Sequence, residues 1–345
     1  MTVPDELLAV FRAPGARALM LGHVHPDADV LGSLLALGLA LPAPAPAGAG
    51  GLPPNELGRV MILEYHRIDE PEDRWIRTPE NFRRDLERLY AAGYRLLNLN
   101  DLIDGRITVP AGTTPVILTF DDSSPGQFRY LERQGTLEID PRSGVGVLEA
   151  FLRERPDFGR AGTFYVLPGA SRPNRLFDQP EHAGRKLQWL VGRGYELGNH
   201  TLWHANLGRY DERVVREQVA LAQAWIQRHV PDYRPRTLAL PHGVYPRDVA
   251  WVLRGTVNGV TYRHDAILMV AGGPAPSPFA RSFDPLRLPR IQAVEREFAY
   301  WLAYFARHPA ERFVSDGDPG TVTIPAGRRD QLRASLPGGL RVVER

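Results

Sequence analysis

Short apolar segments alternate along the chain with longer segments whose apolar residues recur at helical spacing. The short segments predict β-strands, at residues 60–65, 94–99, 115–120, 162–167, 195–200, 237–240 and 266–270. The longer segments predict helices, at residues 79–92, 144–154, 185–193, 211–229, 247–254 and 293–307. In the first of these helices, Phe82, Leu86 and Leu89 share one face.

Apolar strands that are separated by helices predict an α/β fold with a parallel sheet covered by helices on its outer face. The pattern leaves two architectures open, a barrel or a doubly wound sheet. In both of them, functional side chains gather at the carboxyl ends of the strands. The polar residues that follow the strands are therefore the candidates for chemistry.

Composition restricts that chemistry. The chain has 345 residues, which is enough for a large domain with a substantial core. It has no cysteine, which excludes disulfides, thiolate nucleophiles and cysteine-ligated zinc, so a metal ion must be held by histidines and carboxylates. The formal net charge of +2 provides no strong field for nucleic acid, and we expect no nucleic-acid partner.

We predict that residues 1–55 form an N-terminal extension. Its apolar run 31–41 and the Pro-, Ala- and Gly-rich linker after it are typical of a signal peptide, although acidic Asp27 and Asp29 precede the run. The run is shorter than the roughly 20 apolar residues that span a bilayer, and we expect no integral membrane domain. The segment also resembles the opening motif of DHH phosphoesterases, at His23, Asp27 and Asp29, but the rest of that family's pattern is missing downstream.

Two adjacent carboxylates, Asp121 and Asp122, follow the strand at 115–120. Neighbouring side chains on an extended segment point in different directions, so one carboxylate can hold a metal ion while the other faces a substrate. The simpler interpretation is a turn or a helix cap. Taken alone, the pair favours that simpler interpretation.

Two histidines four positions apart, His200 and His204, follow the strand at 195–200. If the chain turns helical after the strand, this spacing brings both imidazoles to one face, where they can share a divalent ion. With ten histidines in the chain, a pair at this spacing can also arise by chance.

A third strand end carries Pro241, His242 and Gly243, which predict a rigid turn that exposes a backbone N–H.

The order of these motifs resembles the polysaccharide deacetylase family, also called carbohydrate esterase family four or the nodulation-deacetylase homology domain. The family's Thr-Phe-Asp-Asp motif stands at residues 119–122, and its His-(Ser/Thr)-x-x-His motif at residues 200–204. Residues 161–166 are similar to its Ala-Thr-Phe-Phe strand, and residues 61–66 to the Tyr-His opening of its exopolysaccharide-modifying branch. The resemblance implies a distorted (β/α) barrel with an incomplete, roughly seven-stranded parallel sheet, in a catalytic domain at 56–326 followed by a C-terminal tail at 327–345.

The same resemblance implies the roles of four side chains. Asp122, His200 and His204 would bind a divalent metal ion, Zn²⁺ or alternatively Co²⁺ or Ni²⁺, and Asp121 would be the general base. The chemistry is consistent with this assignment, because two imidazoles and one carboxylate leave coordination positions open for water. The backbone N–H of His242 stands where the family has its oxyanion donor.

Three features depart from the family's pattern. Ala239 occupies the place of an arginine that orients the base, and we expect Arg290 to supply the guanidinium instead. The late histidine that provides the general acid is missing, and His66 is the candidate for that role, with a buried structural histidine as the alternative. Residues 128–143 form a predicted insertion that we expect to shape the substrate groove.

Three functions remain open. The first is hydrolysis of N-acetyl or O-acetyl groups on an acetylated polysaccharide, with release of acetate. The second is a catalytically silent relative that binds carbohydrate, and the third is a phosphoesterase that acts through the N-terminal motif. A polymer substrate predicts a secreted or cell-envelope protein, or a cytoplasmic one if residues 31–41 are not a signal.

Overall fold

The computed structural model of the protein describes residues 52–345. The apolar run 31–41 and the motif at His23, Asp27 and Asp29 lie outside the described residues. The strands are β1 (Met61–Tyr65), β2 (Arg67–Ile68), β3 (Ile76–Arg77), β4 (Tyr94–Leu96), β5 (Thr114–Phe120), β6 (Tyr130–Arg133), β7 (Thr136–Ile139), β8 (Thr163–Val166), β9 (Glu196–Asn199), β10 (Thr237–Ala239), β11 (Arg254–Val257), β12 (Val260–Arg263), β13 (Ala266–Leu268), β14 (Ile291–Gln292), β15 (Thr321–Ile324) and β16 (Arg341–Glu344). The helices are α1 (Pro79–Ala91), α2 (Leu99–Ile103), α3 (Gly144–Glu154), α4 (Ala183–Gly192), α5 (Glu212–His229), α6 (Ala250–Leu253) and α7 (Glu295–Arg307).

One parallel sheet organises the domain. Its strand order is β13-β10-β9-β8-β5-β1-β14, and β4 pairs with the first half of β5. The sheet curls through 243° without closing, which confirms the predicted incomplete barrel with about seven strands. The segment 288–291 contacts both ends of this strand order. Its Leu288 forms a β-bridge with Leu268 of β13, and its Ile291 pairs with Leu63 of β1.

The two faces of the sheet are both apolar because both are covered. On the outer face, Leu63 and Leu118 pack with residues of α1, α3 and α4. On the opposite face, Ile62 and Ile117 pack with segments from the second half of the chain, including Phe313. Helix α1 buries Phe82, Leu86 and Leu89 as its spacing predicts.

The structure contains two β-hairpins that the sequence analysis does not predict. One of them, β11–β12, replaces the end of the helix predicted at 247–254, of which only α6 forms. Its turn residues Asn258 and Gly259 both have positive φ, at 49° and 78°. Asn-Gly is the pair that favours such a two-residue turn. The other hairpin, β6–β7, lies in the predicted insertion.

Residues 327–345, which the sequence analysis separates as a C-terminal tail, pack against the domain. Strand β16 pairs in parallel with β15. Leu332 is buried in the same apolar cluster as Phe313, and the N–H of Arg333 donates to the carbonyl of Phe279. Within residues 52–345, no helix has the length and apolarity needed to cross a membrane.

We expect Gly198→Ala to lower the free energy of unfolding by about 1–3 kcal/mol, as overpacking of a full core does. A Cβ at Gly198 of β9 would lie 2.2 Å from Cε1 of Tyr165. That ring cannot move aside easily, because its hydroxyl donates to Thr237 Oγ1 at 2.9 Å. The control is Gly192→Ala at the end of α4, where a Cβ meets nothing within 4 Å. Urea denaturation that gives both variants the same stability would contradict the prediction.

Candidate metal centre and active site

The motif residues meet in one pocket of about 540 Å³ at the carboxyl ends of the strands. The side chains come from the loops that follow β1, β5, β9 and β10. Lining residues are His66, Arg67, Arg74, Trp75, Asp121, Asp122, Ser124, Asn174, His200, His204, Leu240, His242 and Val270. Six of the seven site residues that the sequence predicts therefore line this pocket, and the seventh, Arg290, lies buried behind it.

Asp122, His200 and His204 converge on one point. Asp122 Oδ1 lies 3.1 Å from Nε2 of His200 and 3.4 Å from Nε2 of His204. One ligand atom from each of the three lies within 4.8 Å of the others. Two imidazoles and one carboxylate at this separation fit a divalent ion with open coordination positions.

The carbonyl of Ala239 sets the orientation of His200. It lies 2.9 Å from Nδ1 and holds the ring so that Nε2 lies 3.1 Å from Asp122 Oδ1. Burial lowers the pKa of His200, but the hydrogen bond to Asp122 outweighs burial and raises it. Burial and the adjacent His200 lower the pKa of His204 to about 4, so that its ring is neutral at pH 7.

The loop after β9 is not the helical turn that would bring His200 and His204 to one face. Thr201 and His204 have positive φ, at 65° and 64°, which bends the chain back within four residues. Asp122 and His242 are also left-handed, at 73° and 58°. Such a conformation costs a non-glycine residue about 1–3 kcal/mol, and residues with this backbone strain concentrate at functional sites.

Arg290 holds Asp121 in a two-pronged ion pair. Its Nη1 and Nη2 donate to Oδ1 and Oδ2 of Asp121, each at 2.7 Å. Nη1 also donates to Thr119 Oγ1 at 3.1 Å, and Nε to the carbonyl of Met269 at 2.7 Å. Burial alone would raise the pKa of Asp121, but Arg290, and then His200, hold it well below its usual range. Asp121 therefore remains an ionised carboxylate beside Asp122 and the two histidines.

Glu64 is a site residue that the sequence analysis missed. Its fully buried Oε1 lies 2.6 Å from Nη2 of Arg290, as an ion-pair contact in which neither Glu64 oxygen is aligned for a hydrogen bond. Burial raises the pKa of Glu64 well above its usual range, and Asp121 adds to the rise. The signal was present in the strand Met61–Tyr65, where Glu64 is the one charged residue among buried apolar neighbours.

Gln127 is a second residue that the motifs did not indicate. Its buried Nε2 donates to the carbonyl of His66 at 2.7 Å and to the carbonyl of Asp121. This amide ties the ends of β1 and β5 together. The preceding Gly126 has φ 78°, and a Cβ there would lie 1.8 Å from the carbonyl oxygen of Ile68, so the close approach requires glycine.

His66 and His242 both line the pocket and contact different residues of it. The ring of His66 lines the pocket and lies 4.5 Å from the ring of Trp75. Burial lowers the pKa of His66. His242 is exposed in the 3-10 turn Pro241–Gly243, and its ring lies 4.4 Å from that of His204. The predicted insertion at 128–143 does not line the pocket, because Phe128 packs instead against Trp189 of α4.

Sequence comparison points to the same family as the motifs. Residues 157–257 match the family described as polysaccharide deacetylase. A chitooligosaccharide deacetylase of Bradyrhizobium sp. is 28% identical over 139 residues, which cover 40% of this chain and 51% of that protein. One from Sinorhizobium fredii is 28% identical over 145 residues, which cover 41% and 54%. The chain thus spans about half the length of the curated relatives it matches.

Two solved structures share the fold. The Streptococcus pyogenes deacetylase PplD, in complex with acetate, has a TM-score of 0.51 at 18% identity and covers 71% of this chain and 98% of its own. IcaB from Ammonifex degensii has a TM-score of 0.50 at 18% identity and covers 72% and 97%. The match of residues 157–257 and the two curated relatives confirm the resemblance to the polysaccharide deacetylase family that the motifs indicate, and the two solved structures show the fold.

Proposed function

We propose that this protein hydrolyses N-acetyl or O-acetyl groups on a polysaccharide or oligosaccharide and releases acetate, with a divalent metal ion as cofactor. One observation carries the proposal. Asp122, His200 and His204 meet at ligand distance, and Asp121, which is not needed as a ligand, stands beside them in a pocket open to solvent. Metal-assisted hydrolysis requires this combination of a ligand set and a free carboxylate.

Asp122, His200 and His204 are the residues that would hold the metal ion, and the donor set suits Zn²⁺, with Co²⁺ and Ni²⁺ as alternatives. When bound, such an ion acidifies a water molecule and polarises the acetyl carbonyl. Asp121 accepts the proton of the attacking water. Its Oδ2 lies 4.0 Å from Nε2 of His200, so the proposed base is adjacent to the proposed ligands but is not itself a ligand.

Arg290 performs the orienting function that the family assigns to the arginine replaced by Ala239. The paired N–H groups hold the carboxylate plane of Asp121 in one orientation, because a fork of two parallel bonds fixes direction as well as distance. His66, which lines the pocket, is proposed to protonate the leaving group, and the backbone N–H of His242 to stabilise the developing oxyanion.

The silent carbohydrate-binding alternative rests on two features, the altered third motif and the missing late histidine. Arg290 supplies a guanidinium to Asp121 from elsewhere in the chain, which weakens the first of these grounds and does not bear on the second. We also propose a secreted or cell-envelope location, because acetylated polymers lie outside the membrane. Detection of the native protein in culture medium or envelope fractions tests this location, and a purely cytoplasmic signal would contradict it.

We expect acetate release to require both a divalent ion and His200. Metal-depleted protein is assayed on chitin oligomers, peptidoglycan, poly-N-acetylglucosamine and an O-acetylated polymer, with Zn²⁺, Co²⁺ or Ni²⁺ added back. His200→Ala should abolish the ion-dependent release, because it removes a ligand. The control is His308→Ala, which alters an exposed histidine stacked on Tyr304. Stoichiometric metal binding without release from any of these substrates would favour the silent alternative.

Arg290→Lys should move the acid limb of the kcat/KM profile to higher pH. Lysine keeps the charge but loses the fork, so the pKa of Asp121 rises. A base acts deprotonated, and a raised pKa therefore removes activity at a higher pH than in the parent protein. The control is Arg287→Lys. Arg287 is exposed and makes only a weak ion pair, with its Nε 3.9 Å from Asp284. An unchanged acid limb and unchanged turnover would exclude Arg290 from the mechanism.

The two carboxylates that contact Arg290 should differ in their need for charge. Burial raises the pKa of Glu64 and so disfavours its charged form, and we expect Glu64→Gln, which keeps the shape without the charge, to leave kcat within about threefold. Asp121→Asn removes the base, and we expect a loss of about 10²–10⁴-fold in kcat. Steady-state acetate release at pH 7 measures both. A large loss in Glu64→Gln, with native stability, would show that Glu64 acts as an anion.

A further inference from the structure

The outer part of the pocket carries a charge pattern that deacetylation alone does not require. Two arginines, Arg67 and Arg74, line it beside Trp75 and Asn174. Among the described residues that line the pocket, the only carboxylates are Asp121 and Asp122. Asp121 is neutralised by Arg290 and Asp122 belongs to the proposed ligand set, so the outer lining presents cationic groups without a facing carboxylate of its own.

Arg74 is the least neutralised of these groups. Its guanidinium carbon lies 4.9 Å from the centre of the Trp75 ring, and within residues 52–345 no carboxylate lies within ion-pair distance of it. Glu297 is the acidic residue whose charge interacts with Arg74, without an ion-pair contact between them, and burial raises the pKa of Glu297. A guanidinium stacked on an aromatic ring keeps its N–H edge free for an anion.

Arg67 has an N–H group that makes no hydrogen bond within the described residues. Its Nη2 donates to Asp69 at 3.0 Å, with both side chains about one-third exposed. Its Nε is buried and has no hydrogen-bond partner among the described residues. A buried donor without a partner is uncommon and costs free energy. An anion in the pocket would satisfy it.

The frame around these side chains is rigid. Strands β2 and β3 pair in parallel, and the N–H of Arg67 donates to the carbonyl of Trp75 at 3.0 Å. Arg77, which is buried at the end of β3, pairs with Asp85 of α1 and Glu295 of α7. The segment between the two strands is thereby fixed to two helices. Sites on such supported elements bind with little ordering cost.

A row of planar groups leads outward from the triad to the arginines. The ring of His66 lies 4.5 Å from that of Trp75, which in turn carries Arg74. Trp75 is 38% exposed, which is enough for a sugar ring to stack on it. A sugar bound there would adjoin the acetylated sugar and bring its substituents to the arginines.

We propose that the substrate is an anionic glycan, in which a sugar bearing a carboxylate lies next to the acetylated sugar and binds at Arg74, Arg67 and Trp75. The inference rests on the proposed deacetylase function and names the substrate class for that site. The carboxylate has two chemical sources in such glycans, a uronic acid or a lactyl ether. Both present the same planar anion to a guanidinium fork.

The test compares matched substrates on the Zn²⁺-loaded full chain. Hyaluronan oligosaccharides, which alternate N-acetylglucosamine with glucuronic acid, are compared with the same oligosaccharides after reduction of their carboxyl groups. Peptide-free peptidoglycan strands, which carry lactyl carboxylates, are compared with chitin oligomers of equal length. We expect kcat/KM for acetate release to favour an anionic member by about tenfold, as one charge-assisted hydrogen bond allows.

Arg74→Gln should reduce that preference about tenfold, mainly through KM, since it removes a binding group and leaves the metal ligands in place. The control is Arg142→Gln, an exposed residue paired with Glu70 and Glu80 outside the pocket, which should preserve the preference. Preference for hyaluronan alone assigns the uronic acid, and preference for peptidoglycan strands alone assigns the lactyl ether. Either result supports the proposal.

Calorimetric binding of the same oligosaccharides separates the two levels of the proposal. If no substrate releases acetate but the anionic members bind more tightly and Arg74→Gln removes the difference, the subsite stands and the deacetylase function fails. If neutral and anionic members are cleaved equally and bound equally, and Arg74→Gln changes neither ratio, the deacetylase function stands and the anionic subsite is refuted.

Discussion

A buried guanidinium must be paired, and the structure around Arg290 follows from that constraint. Its side chain is 0% exposed, and its guanidinium donates to Asp121, Thr119 and the carbonyl of Met269 and lies in ion-pair contact with Glu64. Removing one partner from such a buried set costs about 3–5 kcal/mol. The pairing therefore both stabilises the sheet where its edges approach and keeps Asp121 ionised, as a proton acceptor requires.

The proposed metal centre depends on a different arrangement, in which backbone conformation replaces regular structure. The proposed ligands lie on short loops with left-handed residues, among them Asp122 and His204. These loops are held by local bonds, such as those from Gln127 to the carbonyls of His66 and Asp121. Strain of this kind persists only when its surroundings over-determine it. The curled sheet supplies those surroundings, since its strand ends converge on the pocket.

Prediction from the sequence was most successful for regular elements and for motif residues. The strands that form the sheet are apolar on both faces, which is a strong local signal, and the helix at α1 follows its spacing. Prediction was less complete where the site depends on non-local geometry. His200 and His204 meet through a left-handed loop and not through a helical turn. Residues 128–143 are not among the residues that line the pocket, and Phe128 packs against Trp189 of α4, so their role in a substrate groove stays a prediction.

The sequence by itself determined the α/β class, the strand ends that carry chemistry and the residue types of the proposed ligand set, because these depend on local periodicity and motif spacing. Only the tertiary structure decided which guanidinium neutralises Asp121. Arg290 lies 169 positions away along the chain and reaches Asp121 because the segment that carries it passes between the two edges of the sheet. The raised pKa of Glu64 was likewise decided by the fold, since it comes from burial and from the neighbouring charges of Asp121 and Asp122.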